Sequence, residues 1–128
     1  MPASAATPRS DCVAGAAGLF KAGDNIDPSK HKLLWKWSGG TATLAEYGDP
    51  VFGSDNYRLC VYDDGVLKLS PAVAGGEYCV TKPCWSASAT AHKYKHSGGN
   101  VDGITGVSMH AGTGTASILV KGKGANLI

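Results

Sequence analysis

The sequence predicts an all-β domain, an antiparallel β-sandwich of Greek-key or jelly-roll type with about seven to nine short strands, stapled by disulfides. Three observations predict it. Apolar and polar residues alternate in short runs, and turn signals recur roughly every 8–12 residues. The chain also carries 18 Gly, and no stretch keeps a helical apolar period.

At 128 residues the chain can bury one two-layer core but not two. Residues 1–10 read as a linker or tail and 11–128 as a single domain. A formal charge of +2 is too small to imply a nucleic-acid partner. The lysines stand singly, often alternating with apolar residues, as on strand faces and edges kept soluble. No run approaches the roughly 20 apolar residues of a membrane helix. Residues 1–10 lack the apolar stretch of a signal peptide, so an exported chain is expected to begin after its leader, with Met1 added, or to be one module of a longer chain.

The first strand is expected within Val13–Phe20, where glycines argue against a helix. A turn-rich acidic loop, Lys21 to Lys30, follows. His31 to Ser38 alternates clearly, with Leu33, Trp35 and Trp37 on one face and Lys32, Leu34 and Lys36 on the other. Gly39 to Ser54 reads as a long connection with a turn at Tyr47-Gly48-Asp49-Pro50. Asn56 to Ser70 then reads as the central hairpin of the fold, turned at Asp64-Gly65, because glycine supplies the positive φ that a tight turn needs. Glu77 to Val80 is a short strand, and Thr90 to His96 alternates His92, Tyr94 and His96 against Lys93 and Lys95. Ile104 to His110 and Thr115 to Val120 form a last hairpin across Ala111–Gly114, and a glycine-rich extended tail runs from Lys121 to Ile128.

Four cysteines, an even number, fit two disulfides and an exported protein. Cys79 and Cys84 enclose a loop short enough to close on itself. Cys12 and Cys60 then pair by elimination, with the other two pairings left open. Zinc is the rival reading, but Cys12 and Cys60 lack the close partner that such sites favour.

Several patterns together resemble an all-β module of uncharacterised exported bacterial proteins. They are Lys32-Leu33-Leu34-Trp35-Lys36-Trp37, Tyr47-Gly48-Asp49-Pro50, Tyr57-Arg58-Leu59-Cys60-Val61-Tyr62-Asp63, Pro83-Cys84-Trp85, His92-Lys93-Tyr94-Lys95, Asp102-Gly103-Ile104 and Lys121-Gly122-Lys123-Gly124. The resemblance covers most of 11–128. It implies a secreted or cell-surface domain, often one part of a larger protein, and it carries no assigned activity and no catalytic residue.

Candidate ligand-binding residues are aromatic. Trp85 follows the small cysteine loop, where it either packs on the bridge or forms a surface platform with Tyr78 or Tyr94. Tyr47 is a second platform centre, and such rings can stack on the sugars of a polysaccharide. Trp35 and Trp37 share a face with Leu33 and are assigned to the core. His92 and His96 would lie roughly 13 Å apart on a strand and could not share an ion, so they read as solvent-facing. Weak metal candidates are Asp24 and Asp27, as loop ligands for calcium, and His92 and His110 if the fold brings the histidines together. No other cofactor is expected. Asp63 and Asp64 read first as the hairpin turn. No Gly-x-Ser-x-Gly turn occurs, and no helix follows the glycines near Lys121.

The expected function is that of a non-catalytic extracellular structural or interaction module. Other protein domains or further copies of the chain are the expected partners, joined by strand addition through the N-terminal segment or through Thr115–Val120 and the tail. A carbohydrate-binding module with an aromatic platform is the alternative, and a small metal-dependent enzyme the third.

Overall fold

The computed structural model describes residues 17–23, 30–53 and 55–127. Its strands in chain order are β1 (Ala17–Gly23), β2 (Lys32–Ala42), β3 (Tyr57–Arg58), β4 (Val61–Asp63), β5 (Val66–Leu69), β6 (Ala72–Val73), β7 (Tyr78–Cys79), β8 (Lys82–Pro83), β9 (Trp85–Ala87), β10 (Ala91–Lys95), β11 (Ile104–His110) and β12 (Gly112–Lys123). The fold is all-β, and the one helical element described is a 3-10 turn at Ala45–Tyr47. No described helix is long and apolar enough to cross a membrane.

One six-stranded antiparallel sheet organises the molecule, in the order β1-β2-β12-β11-β10-β9. Alternation fixes its two faces, because residues directly opposite in neighbouring strands point to the same side. Trp35 pairs with Val120, Val120 with Val107, Val107 with Tyr94 and Tyr94 with Trp85. That row lies on the core face with Leu33, Ile104 and Met109. Over it lies a loop-rich cover with three separate two-stranded pairs, β3–β6, β4–β5 and β7–β8, which among the described residues do not join into the second sheet of the expected sandwich. Val73 of the cover is buried, and Tyr47, Val51, Tyr57, Leu59 and Leu69 pack from above.

The hairpin turns where the sequence predicts, with φ of 51° at Asp64 and 74° at Gly65. It does not organise the fold. The strand expected from Asn56 is broken: Tyr57 and Arg58 pair with β6, whereas only Val61–Asp63 pairs with β5. Val66 in the outgoing arm stays 55% exposed. The spine is instead β2 against β12, strands of 11 and 12 residues. β2 continues through Gly39, at φ 74°, where a break was expected. The last hairpin forms as expected, but β12 lies in the middle of the sheet. Its backbone groups are therefore used by β2 and β11, and Thr115–Val120 cannot be a donor strand. Gly122 is required there, since a Cβ would sit 2.7 Å from Leu127 Cδ1 and 2.8 Å from the Gly103 carbonyl oxygen. That contact folds the buried Leu127 onto the core.

Cys79 and Cys84 form a disulfide with Cα atoms 5.1 Å apart. Cys60 bonds no described cysteine, and its expected partner Cys12 lies outside the described residues, as does the linker 1–10. Closing so short a loop constrains the unfolded chain modestly. The double variant Cys79→Ser/Cys84→Ser is expected to lose about 2 kcal/mol, measured by urea unfolding.

Candidate functional site

Trp85 and Tyr94 converge with Tyr57 inside the protein, whereas Tyr78 on β7 stays exposed. Trp85 and Tyr94 are each 2% exposed. The Trp85 ring lies 5.3 Å from that of Tyr57 and 5.1 Å from that of Tyr94, both tilted. Trp85 Nε1 donates to the Ala74 carbonyl at 2.9 Å, so its polar atom is satisfied by the cover. Tyr94 Oη donates to Glu77 Oε2 at 2.7 Å, and His96 Nε2 lies 3.8 Å from the same oxygen. Tyr57 Oη donates to the Tyr47 carbonyl at 2.6 Å, and Tyr47 Oη to the His110 carbonyl at 2.9 Å. These rings join cover to sheet. The platform expected from Trp85 and Tyr94 is not presented to solvent, because both lie on the core face, and Tyr47 is half-buried with its hydroxyl engaged.

Burial pushes the Tyr57 phenol from its ordinary 10.0 up to about 12, with Asp55 and Asp49 adding to the rise. Burial, and then the bond to Glu77, raise Tyr94 as well. The folded state thus favours the neutral phenols. The Tyr57 contribution to stability is complete below the unfolded value of 10.0 and is lost as pH rises through the folded value of about 12, and that of Tyr94 is lost in the same direction. Alkaline titration should show the unfolding free energy falling across that window. Phenolate absorbance should reveal Tyr57 and Tyr94 ionising only as the circular dichroism of the folded state disappears.

Among the described residues, the metal candidates do not assemble. His92 pairs opposite Met109 and faces the core, whereas His110 pairs opposite Ala91 and faces the other side of the sheet. Contrary to the solvent-facing reading, His92 is 6% exposed, since the alternation that exposes Lys93 and Lys95 turns it inward. Asp24 and Asp27 lie outside the described residues. Donor atoms of Glu77, Cys79 and Cys84 lie within 4.8 Å of one another, but the two sulfurs are bonded together and offer no thiolate. Asp49 has a local role: the Phe52 and Val51 amides donate to its Oδ1 and hold its carboxyl below the ordinary carboxylate value.

Two hollows remain. The smaller, about 190 Å³, lies on the core side between Trp35, Tyr57, Leu59 and Met109, below the size of ordinary ligand pockets. The larger, about 940 Å³, is a groove along the second face of the six-stranded sheet. Strand order brings Lys21 of β1, Lys32 and Lys36 of β2, Lys93 and Lys95 of β10, and Lys121 and Lys123 of β12 onto that face, all exposed. All of these except Lys36 line the groove. Its floor is Leu34, Leu119, Gly106 and strand backbone, with Ser97, Thr105 and Ser108 among them. The described carboxylates lie elsewhere: Glu46, Asp49, Asp55, Asp64 and Glu77 in the cover, and Asp102 in the turn that joins the cover to the sheet. Among the described residues, no carboxylate forms an ion pair with these lysines; the ion pair present is His96 with Glu77.

These lysines were individually visible in the sequence, and their parity was a signal. Lys32 and Lys36, Lys93 and Lys95, and Lys121 and Lys123 are each an even number of residues apart on a strand, hence on one face. What the parity leaves open is which strands are neighbours. Compared with known protein families, curated proteins and solved structures, the chain matches none.

Proposed function

We propose that the chain is a non-catalytic extracellular interaction module that meets an anionic partner with the lysine-bearing face of its sheet. One observation carries the reading: a protein of formal charge +2 gathers seven lysines on one sheet face and keeps its described carboxylates off it. A one-signed concave surface focuses potential and attracts oppositely charged partners. The disulfide and the resemblance to exported bacterial modules support an extracellular setting. No reaction is assigned.

The test separates clustered charge from total charge. On a sulfonated cation exchanger at neutral pH, Lys21→Glu/Lys95→Glu/Lys121→Glu should elute at clearly lower salt than Lys30→Glu/Lys68→Glu/Lys82→Glu, which has the same net charge. Equal elution of the two variants would remove the face from the proposal.

A further inference from the structure

We infer that the lysine-lined groove binds a linear acidic polysaccharide, its sugars charged by carboxylates, lying across the strands; this rests on the interaction-module reading above. The register sets out the contacts. Lys95 stands opposite Gly106, Gly106 opposite Lys121, Lys121 opposite Leu34, and Leu34 opposite Lys21. This row carries an ammonium on every second strand, about 9.6 Å apart at the usual spacing between strands. Beside it, Lys93 aligns through Ser108 and Leu119 with Lys36. Lys32 and Lys123 are directly opposite each other on adjacent strands. Like charges so placed destabilise a sheet, and a bound anion between them relieves the repulsion.

The floor suits sugars rather than bases or lipid. Leu34, Leu119 and Gly106 offer a low apolar surface to the C–H faces of pyranose rings, and Ser97, Thr105 and Ser108 bring hydroxyls to the same groove. No Phe, Tyr or Trp ring of β1, β2, β10, β11 and β12 turns to this side: Phe20, Trp35, Trp37 and Tyr94 all take core-side positions in the register, and His110, which does face this side, does not line the groove. Single-stranded nucleic acid relies on such rings for stacking. The described residues of the face also include lysine but no arginine, which is the residue suited to bidentate phosphate recognition. A membrane surface would need several apolar side chains standing above the charges, whereas Leu34 and Leu119 are half-buried beneath exposed lysines and Leu19, opposite Lys36 on the edge strand, is exposed but does not line the groove. A thin, regularly charged polymer can enter the groove where a bilayer cannot.

The whole chain is titrated calorimetrically with polygalacturonate, with neutral dextran, with a single-stranded oligodeoxynucleotide and with phosphatidylglycerol vesicles. Polygalacturonate is expected to bind, more weakly as salt is raised, and dextran not to bind. Lys21→Glu/Lys95→Glu/Lys121→Glu should weaken polygalacturonate by about tenfold or more, since several exposed ion pairs become repulsions. Lys30→Glu/Lys68→Glu/Lys82→Glu should change it by no more than about twofold. Matching near-ultraviolet circular dichroism keeps the comparison between folded proteins. Binding of the oligonucleotide or the vesicles but not polygalacturonate would overturn the polysaccharide and leave the anion-binding face standing. Absence of binding to all three anions would overturn both, as would equal weakening of polygalacturonate by the two triple variants.

Discussion

Replacing Trp85 with alanine is expected to cost about 3–5 kcal/mol of folding stability. The side chain is 2% exposed and stacks between Tyr57 of the cover and Tyr94 of the sheet. Truncation removes apolar burial and leaves a cavity that two tilted rings cannot fill without losing their own hydrogen bonds to the Tyr47 carbonyl and Glu77. It also orphans the Ala74 carbonyl. Since small domains are stable by about 5–15 kcal/mol, this is a large share of the total. Trp85→Phe keeps a ring but loses the N–H, and should cost about 1–3 kcal/mol. Urea unfolding decides the matter. A loss below about 1 kcal/mol for the alanine variant would mean that the aromatic stack does not hold cover to sheet.

Asn100→Ala should be nearly as damaging, at about 3 kcal/mol, for a different reason. Asn100 is 7% exposed at the turn before β11. Its Nδ2 donates to the Ala72 carbonyl at 2.9 Å, and its Oδ1 accepts from the Asp102 and Ile104 amides at 3.0 and 2.9 Å. Asp102 completes the link by accepting from the Ala72 amide at 2.8 Å. Alanine would strand buried polar groups on both layers at once, and each stranded group costs about 1–3 kcal/mol. Asn100→Asp tests the geometry further, because it retains an acceptor for the two amides while facing the Ala72 carbonyl with a second oxygen. Hydrogen exchange at the Ile104 amide should accelerate strongly in the alanine variant and less in the aspartate one. Unchanged protection in both would contradict the link.

These two residues also mark the limit of what the sequence makes legible. The period-2 alternation places Leu33 and Trp35 against Lys32 and Lys36, and Lys93 and Lys95 against Tyr94, on the correct faces. The Asp64-Gly65 turn is equally local, since both residues adopt the positive φ that a tight hairpin requires. Alternation says which side of a strand a residue takes but not which strand lies beside it. The pairing of β2 with β12 joins chain segments some eighty positions apart, so from sequence the hairpin reads as central although the spine lies elsewhere. Two glycines in succession at Gly39-Gly40 read as a stop, yet the strand passes through them. The sequence leaves Trp85 undecided because the ring that covers it, Tyr57, comes from a distant segment in the cover. The lysines have the same history. Seen singly, each solubilises a strand, and only strand order reveals that they share one face.

The central claim is that this face is the binding surface. The most direct measurement is amide and side-chain NMR of the labelled protein titrated with a short oligogalacturonate. The account predicts shifts in the lysine ammonium-linked methylenes and in the amides of Lys21, Lys32, Lys95, Gly106, Lys121 and Lys123, with Trp85 Nε1–H unmoved. Shifts centred on the cover, or on Trp85 and Tyr57, would contradict it.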